Sequence, residues 1–112
     1  MSVQSENVLD KHHLATKTFY ADLSFLDAGV TAVSATATTE DADLTVEGAD
    51  VISEEIVVGA TDDCAGTTLE IGRGILILLS GGVASDDEVI VTVVFELSDG
   101  DTDARELRLI VG

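Results

Sequence analysis

The stretch EVIVTVVFELSDGDTDARELRLIV, residues 88–111, decides the fold. Val89, Val91, Val93, Phe95 and Leu97 alternate with Ile90, Thr92, Val94 and Glu96. That period of two marks a strand with one buried face. Ser98-Asp99-Gly100-Asp101 then supplies turn residues, and Gly relieves the steric cost of the reversal. Leu107, Leu109 and Val111 resume the apolar alternation. The prediction is a long antiparallel hairpin whose two strands share a core face.

Working outward, the same period recurs. Lys17 to Phe25 places Phe19, Ala21, Leu23 and Phe25 on one face. Thr31 to Thr38 sets Val33, Ala35 and Ala37 against Ser34, Thr36 and Thr38. Leu44 and Val46 mark a short strand, and the β-branched residues of Val51 to Val58 predict another. Thr67 to Ile71 and Gly74 to Leu79 follow. Ile75-Leu76-Ile77-Leu78-Leu79 does not alternate, so this strand is either buried on both faces or laid against a partner. Residues 1–13 are polar and read as a flexible N-terminal arm, leaving 14–112 as the folded domain. Seven or eight short strands with no helical pattern describe an all-β, immunoglobulin-like antiparallel β-sandwich.

Charge limits the functions open to it. The chain of 112 residues carries 22 Asp and Glu against five Lys and Arg, a formal charge of −17. Such a field repels phosphate backbones and anionic membrane surfaces, so neither nucleic acid nor membrane is an expected partner. The acidity serves either solubility, in a setting where salt screens it, or attraction to a basic partner surface. Three Phe, one Tyr and no Trp argue against aromatic platforms for bases or sugars. No secretory signal and no apolar run of membrane-spanning length is legible.

Chemistry is sparse. Asp99, Asp101 and Asp103 have the spacing that opens a calcium loop, but Ala104 and Ile110 stand where such a loop needs Gly and an acid. The better reading is a solvated hairpin turn, with Asp99, Asp101 and Asp103 as calcium candidates only in the alternative. His12 and His13 lack a spaced set of metal partners and are read as arm residues open to a neighbouring subunit. Ser80 precedes Gly81 and Gly82 without the surrounding pattern of a nucleophile elbow. Cys64, beside Asp62 and Asp63, is read as an inert thiol or as one half of an intermolecular bridge. The expectation is a non-enzyme without cofactors.

The order of signals resembles a family of small tailed-phage structural proteins, the fibre–tail adaptors and related immunoglobulin-like virion proteins. The parts that carry it are Thr18 to Phe25, Val33 to Val46 with Leu44-Thr45-Val46, Leu79-Ser80-Gly81-Gly82, and Val89 to Val111 with Arg105, Leu107 and Leu109. The resemblance implies a virion component made in the host cytoplasm. It would sit at the tail or neck, or decorate the capsid, as one of many copies among other virion proteins. On that reading Ile75, Ile77 and Leu79, with His12 and His13, are expected at a protein interface. An extended arm of this length reaches about 40 Å, far enough to lie along a neighbour. The alternative is a calcium-dependent adhesion or carbohydrate-binding β-sandwich module.

Overall fold

The computed structural model describes residues 2–23, 25–57 and 68–112. Among these the chain is all-β, with nine strands and no helix: β1 Ser2–Lys11, β2 Thr16–Asp22, β3 Ala32–Thr39, β4 Leu44–Val51, β5 Ile56–Val57, β6 Thr68–Leu69, β7 Gly74–Gly81, β8 Val89–Leu97 and β9 Thr102–Val111. A four-stranded sheet in the order β1-β9-β8-β3 packs on a three-stranded sheet, β2-β7-β4, and β5 pairs with β6 alone.

The hairpin of residues 88–111 forms as its alternation predicts. β8 and β9 pair antiparallel from Val89 opposite Leu109 to Glu96 opposite Thr102. Leu97 N donates to Asp101 O at 2.8 Å, and Gly100, at φ 95°, closes the turn with its own N–H on Leu97 O. Val91, Val93, Phe95, Leu107, Leu109 and Val111 are all buried. From the facing sheet come Phe19, Ala21, Ile75, Ile77 and Leu79, with Leu44 at its edge. Removing a large apolar side chain of this kind from water contributes roughly 1.5–3 kcal/mol, so this layer is the main source of stability.

Several segments depart from the sequence reading. Val33 is 59% exposed because the β3–β8 register shifts between Ala32 and Ser34; the bulge turns Val33 outward while Ala32 enters the core. Phe25 lies beyond the end of β2 and is half exposed. Val51 to Val58 is not one strand. β4 continues through a bulge between Val46 and Gly48 to Val51, the chain bends at Ser53-Glu54, and β5 holds only Ile56 and Val57. The strand expected from Thr67 to Ile71 shortens to Thr68–Leu69.

The largest correction concerns the N-terminal segment. Ser2–Lys11 is a strand, paired parallel to β9, with Leu9 and Lys11 buried. A parallel edge strand takes its backbone partners from about a hundred residues away, so its own polar composition hides it. Lys11 Nζ donates to Gly81 O at 2.6 Å and to His12 O at 3.0 Å, joining the end of one sheet to the end of the other. Burial lowers the pKa of this ammonium from its ordinary 10.5.

One glycine is required by a close approach. Gly72 has φ 76°, and a Cβ there would lie 2.8 Å from Thr31 Cβ. The β2–β3 connection and the turn before β7 meet at this point. Ala32 N donates to Gly72 O at 2.8 Å, and the Arg73 guanidinium donates to Leu26 O and Asp27 O.

Candidate interaction surface

The inward parity of each strand determines what its outer face presents. On the four-stranded sheet, the residues between the core positions of β8 are Ile90, Thr92, Val94 and Glu96. They stand in cross-strand rows: Ser34–Glu96–Thr102, Thr36–Val94–Ala104, Thr38–Thr92–Glu106, and Ile90 beside Arg108. The Thr36–Val94–Ala104 row carries no charge, and Val94 is 38% exposed. In so acidic a chain this is a distinctive surface, built of a hydroxyl and aliphatic groups in cross-strand register.

At the end of this face, where β3 leaves the sheet and β8 enters it, lies a groove of about 670 Å³. Thr38, Thr92 and Ile90 contribute to its lining, together with the carboxylate residues Glu40, Asp41, Glu88 and Glu106. The acids come from three distant parts of the sequence, which the fold gathers. Thr39 Oγ1 donates to Ile90 O at 3.0 Å and accepts from Asp41 N at 3.2 Å, holding the loop after β3 against the start of β8. Arg108 binds Glu88 through two hydrogen bonds, Nε to Oε2 at 3.2 Å and Nη2 to Oε1 at 3.1 Å.

The five basic side chains are all engaged. Lys11, Arg73 and Arg105 donate to backbone carbonyls, Arg105 to Asp22 O at 2.8 Å. Lys17 donates to Asp10 O at 3.0 Å while its ammonium lies 4.9 Å from the centre of the Phe19 ring. The cations therefore serve as joints between loops and strand ends, and Arg108 forms an ion pair with Glu88 beside the groove.

The residues singled out from sequence fall in different places. Ile75, Ile77 and Leu79 are not an interface: each has no exposed surface, because strand parity turns all three toward the opposite sheet. The outer neighbour Leu76 packs with Tyr20, Ile52, Ile56 and Leu69 in a second small core. The expected burial on both faces of this strand thus holds at Leu76. His12 is exposed and His13 half-buried at the link between β1 and β2. Their rings stack at 4.5 Å, and His13 Nδ1 lies 2.8 Å from Gly112 O.

Asp99 Oδ1 accepts from Asp101 N, and Asp103 Oδ1 accepts from Ala104 N. Among the described residues no group of three or more His, Cys, Asp or Glu side chains converges as a metal site. Ser80 Oγ donates to Glu47 Oε1 at 2.6 Å on the outer face of the other sheet. The reading of Cys64 lies outside the described residues.

Sequence reasoning passed over Thr38, Thr92, Val94 and Glu106 as the solvent side of their strands. A signal was present: the off-core positions of β8 are almost uncharged although acids abound elsewhere. Comparison with known proteins gave no match, neither to a family model, nor to a curated protein, nor to a solved structure.

Proposed function

We propose that this protein is a non-enzymatic structural subunit that acts by docking into a larger particle. The class is that of the small tailed-phage virion proteins, as a tail or neck adaptor or a capsid decoration subunit. The observation that carries the reading is the uncharged Thr36–Val94–Ala104 row on the outer face of the four-stranded sheet, with Thr36 and Val94 exposed and Glu96 and Glu106 in the rows on either side. An uncharged centre with a polar border is the layout of a protein interface.

The strand distribution supports the immunoglobulin-like part of the reading. In that fold strands B, E and D share one sheet, and C, F and G the other. Here β2, β7 and β4 form one sheet, while β3, β8 and β9 belong to the other, with β1 beside β9. The virion is the proposed location, after synthesis in the host cytoplasm.

The test is co-sedimentation of the purified protein with particles assembled without it. Saturable binding is expected, together with its loss in Val94→Glu, a variant whose thermal unfolding should stay close to that of the parent. A parent protein that remains in the supernatant at every ratio would overturn the proposal.

A further inference from the structure

We propose that β1 is exchanged between two copies of this chain, each copy's Ser2–Lys11 completing the four-stranded sheet of the other, with His12–Ala15 as the hinge. This goes beyond the docking reading and does not rest on it, because the exchange uses a sheet edge and the docking row lies on a sheet face.

Three observations point the same way. First, β1 is separable. It is the first strand, it pairs with β9, and its outer edge meets no other described strand. The pairing is in two pieces, Ser2–Gln4 on Ala104–Glu106 and Val8–Lys11 on Arg108–Val111, with a register break between them. A strand held along one side can leave and return without unthreading the rest of the fold. Second, every group that receives β1 belongs to residues after the hinge. Gly112 N donates to Lys11 O at 2.8 Å, Gly81 O accepts the Lys11 ammonium, and the Lys17 ammonium donates to Asp10 O. The core that buries Leu9 is likewise built from β2 onward. A second copy therefore offers β1 the same partners, and the closed and exchanged forms differ only at the hinge.

Third, the hinge carries an apolar group that the closed form leaves uncovered. The chain reverses within His12–Ala15, with Ala15 N donating to His12 O at 3.0 Å and Leu14 N to His12 Nδ1 at 3.1 Å. In this reversal Leu14 is 81% exposed, more than any other large apolar side chain among the described residues. Opening gives up those two hydrogen bonds and runs the hinges of two copies past each other about a two-fold axis, where the two Leu14 side chains cover one another. Four extended residues span about 13 Å, enough to carry β1 across the junction from one body to the next. Short hinges of this kind favour exchange over a tight reversal. Charge sets the conditions. Two chains of −17 repel, so exchange is favoured where salt screens that repulsion or where an assembly holds copies side by side.

The experiment places a disulfide across the β1–β9 pair of the full chain. Asp10 is exposed and stands in register with Ile110. Asp10→Cys with Ile110→Cys therefore sets two thiols on neighbouring strands within bridging range, and Cys64→Ser removes the native thiol. The reduced protein is concentrated in about 1 M sodium chloride, where the Debye length is about 3 Å. It is then oxidised and run on a denaturing gel without reductant. Mixing isotope-labelled with unlabelled chains lets mass spectrometry tell links between copies from links within one. Light scattering on the parent chain under the same conditions reads the association without any added cysteine.

A covalent dimer is expected, linked from position 10 of one copy to position 110 of the other, and a parent dimer fraction that rises with salt. A covalent monomer that holds its own 10–110 link overturns the proposal. So does a parent that stays monomeric at every concentration and salt. A dimer in which each chain keeps that link to itself overturns it too, since such a dimer forms through another surface. Two further variants test the hinge. Inserting Gly-Ser-Gly-Ser between His13 and Leu14 lets β1 fold back without a tight reversal and should return the chain to monomer. Leu14→Ser, at an exposed position, should leave thermal unfolding of the single chain unchanged and weaken the dimer at least about ten-fold. Undiminished dimer affinity in both variants overturns His12–Ala15 as the point of exchange.

Discussion

The outer faces of the two sheets are treated in opposite ways. On the three-stranded sheet, Tyr20 and Leu76 stand opposite each other in register and are covered by Ile52, Ile56 and Leu69, so the small β5–β6 sheet supplies that face with its own apolar layer. On the four-stranded sheet no described element covers the corresponding rows, and Val94 and Thr36 remain exposed. The protein closes one face internally and presents the other. An apolar side chain on a sheet therefore has two fates, and the deciding factor is whether the chain supplies a second layer above it.

The strongest way to break this contrast is to remove the layer. Leu69 is 1% exposed and anchors the covering cluster. Leu69→Ala should cost about 2–4 kcal/mol, as buried leucine truncations do, measured by urea unfolding. A loss below about 1 kcal/mol would mean that the β5–β6 cover contributes little and that both outer faces are effectively open.

A second variant probes what joins the sheets beneath those faces. Lys11→Met leaves Gly81 O and His12 O without the ammonium that donates to them. The expected loss near neutral pH is about 1–2 kcal/mol, offset in part because a buried charge is removed. The pH dependence separates these effects. Burial lowers the folded-state pKa of Lys11 below 10.5, so between that lowered value and 10.5 the unfolded chain holds the proton and the folded chain does not. Stability of the parent should then rise with pH across this window through Lys11, and the variant should lack that contribution.

The smallest expected effect is the complement of the first. Val94→Glu on the open face should change stability by no more than about 0.5 kcal/mol, as surface substitutions do, while removing particle association. A large destabilisation would show that Val94 is part of the fold's support and that the open face is structural.

Some of the candidate surface was legible before the fold was known. The alternation of residues 88–97 assigns Val91, Val93 and Phe95 inward and Thr92 and Val94 outward, because side chains on a strand must point to opposite sides. The groove was not legible. Glu40, Glu88 and Glu106 are far apart in sequence, and only the pairing of β3 with β8 and β8 with β9 brings their segments together. The reading of Ile75, Ile77 and Leu79 as an interface went astray for a related reason. An unbroken apolar run says that both sides of a strand want cover, and cannot say whether the cover is a partner or the chain's own β5–β6 pair.

By itself, then, the sequence determined the all-β class, the 88–111 hairpin and its core face, and the net charge of −17. These follow from local periodicity, turn chemistry and composition, which operate within a few residues or over the chain as a sum. Tertiary structure alone decided that Ser2–Lys11 is a strand beside β9, that Lys11 reaches Gly81, and that one outer face is covered while the other is open. Each of those depends on which distant backbone supplies the hydrogen bonds and which distant side chain fills the space above, and no local pattern carries that information.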